Sequence, residues 1–201
     1  MREQKRQIRR SMLTARRGLS EEERNARSLW VWERLRALPC YQRAQVMLCY
    51  MSFDKEVLTE GLIRQAIVTG KRVVLPVVQA HHHTLALYEI SHVEHDVAPG
   101  YGGILEPRPE HRRPVAAGEL DLVMVPGVAF DVQGTRLGFG KGFYDRLLQE
   151  IPCDVPKLGV AFDFQVVPQL PRQPHDITMD GIVTESRVLW CGPSGQGREP
   201  R

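Results

Sequence analysis

Short apolar runs alternate along this chain with segments of helical period, and that alternation restricts its possible folds more than any other feature. Val46–Met51, Arg72–Val78, Leu122–Val125, Leu158–Phe162 and Ile182–Thr184 are apolar on successive residues and too short for independent helices. That is the pattern of strands buried on both faces. Leu85–Ile90 is a further strand, reached from its predecessor through a turn at His81–His83. Between these runs, residues 3–16 carry Ile8, Met12 and Ala15 on one helical stripe, closed by Gly18. Ser20 followed by Glu23 is a capping box, which opens a helix through Ala37 before Pro39 stops it. Leu58, Leu62, Ile63, Ala66 and Ile67 repeat at helical spacing ahead of Gly70, and another helix runs over Phe143–Glu150. The pattern predicts an α/β fold with a mainly parallel sheet flanked by helices, an open layered single domain.

We assign residues 1–190 to this domain. Residues 1–17 form a basic helical arm, and the polar, Gly/Pro-rich residues 191–201 are expected to be disordered. Residues 96–119, dense in Pro and Gly, are expected to cross the surface as one long irregular segment. Ligands in such folds lie beyond the carboxyl ends of the strands, which directs attention to the residues after Met51, Val125 and Phe162.

The formal charge of +3 conceals a split. Residues 1–17 hold seven of the 27 basic side chains and one of the 24 acids, so the rest of the chain is slightly acidic. An apolar content of 42% excludes global disorder, and no run reaches the roughly 20 residues that span a bilayer. The basic start lacks an apolar segment and a small-residue cleavage site, so no secretory signal is expected. Cys40, Cys49, Cys153 and Cys191 form no C-x-x-C pair, which disfavours zinc or iron–sulfur ligation and suits a reducing cytoplasm. Neither His81–His83 nor His92 with His95 has the geometry of a metal site.

Chemistry concentrates between Asp121 and Asp145. A strand runs into Pro126-Gly127, and Gly138-Phe139-Gly140-Lys141-Gly142 then precedes a helix directly. Alternate glycines remove Cβ atoms, so backbone N–H groups can approach a phosphate, and the helix start adds its own free donors. Arg136 and Lys141 supply charge, and Asp145 is placed to hold Mg²⁺ on phosphate oxygens. The spacing is neither a Walker A loop nor a dinucleotide fingerprint. Lys5 and Arg9, four residues apart, project from one face of the first helix.

The stretch Arg136-Leu137-Gly138-Phe139-Gly140-Lys141-Gly142-Phe143-Tyr144-Asp145 resembles the signature of the 5-formyltetrahydrofolate cyclo-ligase (methenyltetrahydrofolate synthetase) family. Five further landmarks of that family follow the same order. They are Lys5–Arg9, residues 51–63, Gly103–Pro107, residues 121–131 and His175–Asp180. The resemblance implies cyclisation of 5-formyltetrahydrofolate to 5,10-methenyltetrahydrofolate with ATP as co-substrate and Mg²⁺, releasing ADP and phosphate. It implies ATP contacts from Lys5, Arg9 and the loop Arg136–Tyr144 (Leu137, Gly138, Phe139, Gly140, Lys141, Gly142 and Phe143 included). Arg136, Lys141 and Tyr144 would be catalytic. Asp145 and Asp176 match metal-binding carboxylates, and Met51, Phe53, Glu56, Tyr101 and Gly102 match the folate side. The register at Glu56 leaves Lys55 and Glu60 as neighbours within a short slip. One departure stands out: Gly102 occupies the place of a stacking aromatic, with Tyr101 one residue earlier.

Two other readings use the same residues. One is a sugar-phosphate or acyl-transfer enzyme that grips phosphate with a glycine loop. The other is a non-catalytic nucleotide- or nucleic-acid-binding protein using the basic arm, although the acidic remainder lacks the broad basic face of a nucleic-acid reader. The expected protein is a cytoplasmic monomer that binds neither membrane nor nucleic acid. Lys5 and Arg9 are expected to fold back over the triphosphate. Removal of residues 1–17 should then affect ATP binding more than folding.

Overall fold

Neighbouring residues of the central strands pack into opposite layers, which is why those strands read as unbroken apolar runs. Met47, Val73, Leu122 and Leu158 join one core, whereas Leu48, Val74, Val123 and Val125 join the other. The structure is a computed structural model, and it describes residues 1–173 and 176–191. His175, within the last matched segment, and residues 192–201 of the expected tail lie outside the described residues.

The first half of the chain contributes α1 (Arg2–Arg17), α2 (Glu21–Ala37), α3 (Pro39–Arg43), β1 (Val46–Leu48), α4 (Glu60–Val68), β2 (Arg72–Gln79) and β3 (Thr84–Ile90). A helical turn, α5 (Val93–Asp96), leads into the short strands β4 (Val97–Pro99), β5 (Leu105–Pro107) and β6 (Arg113–Pro114). The second half supplies β7 (Leu122–Pro126), β8 (Ala129–Asp131), β9 (Arg136–Leu137), α6 (Phe143–Glu150) and β10 (Lys157–Val160). It closes with β11 (Val166–Val167), β12 (Gly181–Val183) and β13 (Val188–Trp190).

The main sheet runs β13-β12-β10-β7-β1-β2-β3-β6. Its central pairings, from β12 across to β2, are parallel, and antiparallel pairs close both edges. The mainly parallel sheet and its helical layers match the expected fold class. Local chemistry agrees with local structure where the elements are long. The Ser20 hydroxyl accepts from the Glu23 amide while the Glu23 carboxylate accepts from the Ser20 amide, the reciprocal capping expected of that pair. Gly70 follows α4 in the left-handed region at φ 86°. Among the described residues no helix is long and apolar enough to cross a membrane.

Three details differ from expectation. Residues 96–119 form the β4–β5 hairpin and the edge strand β6 between tight turns, so the proline-rich segment is pinned to the sheet. Residues 1–17 are a packed helix: Ile8 and Met12 lie against the cluster of Ala129, Leu137 and Leu170, and Arg16 is 1% exposed. Deleting them would uncover that cluster and a buried charge as well as remove Lys5 and Arg9. Finally, β8, β9 and β11 form a small second sheet of two- and three-residue strands, too short to show a period in sequence.

That second sheet carries the glycine loop, and two contacts hold it in place. Asp131 is buried; its carboxylate accepts from the amides of Gln133 (3.0 Å), Thr135 (2.8 Å) and Leu170 (2.9 Å), which shapes the β8–β9 turn. The fully buried Phe130 ring sits between Gly127 and Gly159, where an added Cβ would come within 2.6 Å of ring carbons from either side. Gly159→Ala should therefore lower stability by about 1–3 kcal/mol through overpacking. Urea denaturation measures this; a loss below about 0.5 kcal/mol would show that Phe130 moves aside freely.

Candidate active site

The chain order of the main sheet reverses between β1 and β7, and their carboxyl ends splay around a cavity of about 410 Å³. Tyr50 and Met51 enter it after β1, Pro76 and Val78 from β2, and Pro126-Gly127 after β7. This is the usual ligand position of an open parallel sheet. Of the three strand ends singled out by sequence, the one after Phe162 does not reach it. Asp163 instead receives the Thr184 hydroxyl at 2.7 Å and pairs with Arg187 at 3.3 Å.

Every other residue singled out in sequence lines this one cavity. Lys5 and Arg9 come from α1, and Met51, Phe53 and Glu56 from the loop after β1. Tyr101 and Gly102 come from the turn between β4 and β5. Arg136, Leu137, the glycine loop, Phe143, Tyr144 and Asp145 follow from β9 into α6, and Asp176 from the segment before β12.

The glycine loop needs its glycines for stated reasons. Gly140 and Gly142 have φ of 94° and 74°, and Gly142 is the residue from which α6 starts. A Cβ on Gly138 would fall 2.6 Å from the Arg136 guanidinium. Helix α1 reaches the loop directly, because Arg9 Nε donates to the Gly138 carbonyl at 2.8 Å. Arg136 Nη2 donates to Asp145 Oδ1 at 2.5 Å, and its Cζ lies 5.5 Å from the Tyr144 ring centroid. Lys5 Nζ is 3.6 Å from Asp176 Oδ2. Lys141 is exposed at the cavity edge. The Tyr144 hydroxyl is buried with no hydrogen-bond partner among the described residues, and burial holds the phenol in its neutral form by pushing its pKa up.

Glu56, on the loop after β1, lines the same cavity. Of the neighbours within a short slip, Lys55 pairs with Glu21 and Glu60 with Arg64 on α4, while Glu56 lines the cavity. Glu56 Oε2 accepts from the Phe53 amide at 3.1 Å, and Oε1 lies 3.7 Å from Arg16 Nη1. Burial raises the Glu56 carboxyl from its ordinary range to about 7, against the opposing pull of Arg16. Tyr101 meets Phe143 edge-on with ring centroids 5.9 Å apart, so this aromatic packs beside the residue that ends the glycine loop.

Sequence reasoning missed Arg16, Tyr50 and Glu106. Arg16 lies two turns beyond Arg9 on the stripe Lys5, Arg9, Arg16, a spacing that could have marked it. Glu106 had been noted only as part of a matched segment. Its Oε1 accepts from the Val78 amide at 3.0 Å while Oε2 abuts Gly100, which fixes the base of the Tyr101 turn.

Comparison with known proteins follows the same lines. Residues 1–185 match the model of the 5-formyltetrahydrofolate cyclo-ligase family. The 5-formyltetrahydrofolate cyclo-ligase of Escherichia coli (strain K12) is 34% identical over 174 residues, covering 86% of this chain and 96% of that protein. The Mus musculus 5-formyltetrahydrofolate cyclo-ligase is 30% identical over 196 residues, covering 90% and 93%. The solution structure of Aquifex aeolicus 5,10-methenyltetrahydrofolate synthetase superposes with a TM-score of 0.81 at 36% identity, covering 98% of this chain and 96% of that one. Fold and site thus define an α/β enzyme of the ligase class, its cavity at the switch point of a mainly parallel sheet. The chain belongs to the 5-formyltetrahydrofolate cyclo-ligase family.

The buried Glu56 makes a stability prediction. A glutamate in the unfolded chain titrates near its ordinary 4.5, and the folded Glu56 at about 7. Between those values the folded chain holds a proton that the unfolded chain has lost, so stability falls as pH rises through that window and levels off above it. Glu56→Gln should lack this fall. Relative to wild type it should gain up to about 3 kcal/mol between pH 4.5 and 8, read from unfolding curves. Parallel pH profiles would show that Glu56 ionises normally.

Proposed function

We propose that this chain closes 5-formyltetrahydrofolate to 5,10-methenyltetrahydrofolate, using ATP as co-substrate and releasing ADP and phosphate. The observation that carries the reading is the meeting, on one cavity, of a cation-flanked glycine loop with a buried carboxylate. The loop amides with Lys5, Arg9, Arg136 and Lys141 suit a triphosphate. Glu56 suits the N–H edge of a pterin ring, and Met51, Phe53, Tyr101 and Gly102 supply the apolar and aromatic walls.

A formamide oxygen leaves poorly, so attack by N10 on the formyl carbon stalls unless that oxygen is first activated. The formyl oxygen attacks the γ-phosphorus and ADP departs, giving an N5-iminium phosphate. N10 then adds to the carbon, the carbon–oxygen bond breaks with release of phosphate, and N10 gives up its proton. The protein's share is alignment and charge neutralisation. Arg136 and Lys141 neutralise the transferring phosphoryl group, and the partnerless Tyr144 hydroxyl offers a hydrogen bond at the formyl end. Asp145 and Asp176 would hold Mg²⁺, which when bound offsets charge on the phosphate oxygens. The donor set fits, since Mg²⁺ takes one or two protein carboxylates and completes its shell with phosphate and water.

The test is absorbance of methenyltetrahydrofolate formed with ATP and Mg²⁺ and without them. Folded protein that yields no product at saturating nucleotide would overturn the proposal. Lys141→Ala should lower kcat by about 10²-fold or more with an unchanged unfolding temperature, because the side chain is exposed at the cavity edge. A near-normal kcat would remove Lys141 from the chemistry.

A further inference from the structure

Arg16 is, with Asp131, one of the two most deeply buried charged residues described, at 1% exposure, and the phosphate and folate contacts above leave it unused. None of its three guanidinium nitrogens makes a hydrogen bond to a described residue. Two carboxylates hold it: Asp54 Oδ2 lies 3.6 Å from Nη2, and Glu56 Oε1 lies 3.7 Å from Nη1. Its other neighbour is Phe139 of the glycine loop, whose ring centroid is 5.7 Å from Cζ. For holding α1 to the domain an apolar side chain would serve as well, because a buried ion pair at such distances adds little net stability.

The loop beneath which Arg16 lies is itself constrained. Asp54 and Lys55 adopt left-handed φ of 44° and 63°, unusual for residues with a Cβ. Arg17 grips Asp54 with two hydrogen bonds of 3.0 and 2.9 Å, and Glu21 holds Lys55. Arg24 Nε donates to the Glu56 carbonyl at 2.8 Å. Helices α1 and α2 thus hold the turn from outside, while the buried Glu56 carboxylate faces Arg16.

We propose that Arg16 is a positioning residue for the folate end of the site, orienting the Glu56 carboxylate from below and linking it through Phe139 to the phosphate-binding loop. This rests on the cyclo-ligase reading for what Glu56 binds, but not for how Glu56 is held. The groups facing Glu56 are Arg16 from α1, Arg24 from α2, Asp54 of its own loop, Tyr50 after β1 and Tyr144 of α6. Arg16 is the cation within ion-pair distance of the carboxylate itself. Its loss should leave Glu56 protonated at pH values where the wild type is ionised, and a neutral carboxyl is a poorer acceptor for a donor-rich ring.

The experiment uses the full chain with Arg16→Met and Arg16→Lys. Carbon-13 NMR of labelled glutamate, assigned by loss of one signal in Glu56→Gln, follows the Glu56 titration; steady-state kinetics follows both substrates. Arg16→Met should move the Glu56 midpoint up by about one pH unit and the acid limb of kcat/KM with it. It should raise KM for 5-formyltetrahydrofolate about tenfold and KM for ATP less than about twofold. Arg16→Lys should restore the midpoint. Where Arg16→Met does not fold, Arg16→Gln supplies the neutral variant. An unmoved Glu56 midpoint in a folded neutral variant, or equal rises in both KM values, would reduce Arg16 to a structural residue. Wild-type chain without turnover would overturn the cyclo-ligase reading instead, and the Glu56 titration would still decide the role of Arg16.

Discussion

Strand β1 is three residues long and is hydrogen-bonded in parallel on both sides, to β2 from Val46–Leu48 and to β7 from Met47 and Leu48. Chain order runs outward from it in both directions, so no connection covers its carboxyl end. The loop after β1 must turn sharply away, and so must Pro126-Gly127 after β7. The cavity between them follows from this pairing, and so does the meeting of Glu56 with the glycine loop. The small sheet of β8, β9 and β11 then sets the height of the loop above the cavity, through Phe130 clamped between two glycines.

Three cations at the site are paired with carboxylates: Arg136 with Asp145, Lys5 with Asp176, Arg16 with Asp54 and Glu56. Guanidinium and ammonium groups concentrated in a partly desolvated cleft repel one another, and carboxylates between them relieve that repulsion. The same arrangement readies the cleft for a polyanion. On the proposed reading a phosphate chain would share or take over the cations, and Asp145 and Asp176 would remain as hard oxygen donors for a divalent ion. At Glu56 burial works the other way, raising its carboxyl to about 7 so that its ionisation depends on the neighbouring guanidinium.

Long elements were legible because burial on two faces, or on one helical stripe, leaves a period in the residues. Helix α2 announced itself by Ser20 and Glu23, α4 by Leu62, Ile63, Ala66 and Ile67 ahead of Gly70, and the parallel strands by runs such as Leu122–Val125. The glycine loop was legible because backbone at positive φ and close approach of side chains require missing Cβ atoms. The β8–β9–β11 sheet was not, since two-residue strands held by one buried aspartate and one clamped phenylalanine have no period. The strand end at Phe162 misled for a related reason. Its position in the pattern equals that of Val125, but Asp163 turns to the neighbouring Thr184 and Arg187 instead of the cavity.

Residue types and spacings by themselves determined the alternating layers, the loop chemistry and the charge concentrated in residues 1–17. These are local properties: hydrophobic period, backbone freedom at glycine, and net charge are carried by the residues wherever they sit. Tertiary structure alone decided which of seven clustered cations would be buried and which carboxylate among Asp54, Glu56 and Glu60 would face inward. Exposure and ion-pair distance depend on what another part of the chain brings alongside. Thus Arg16 became the buried partner of Glu56, while Arg17, next to it in sequence, stays on the surface with Asp54.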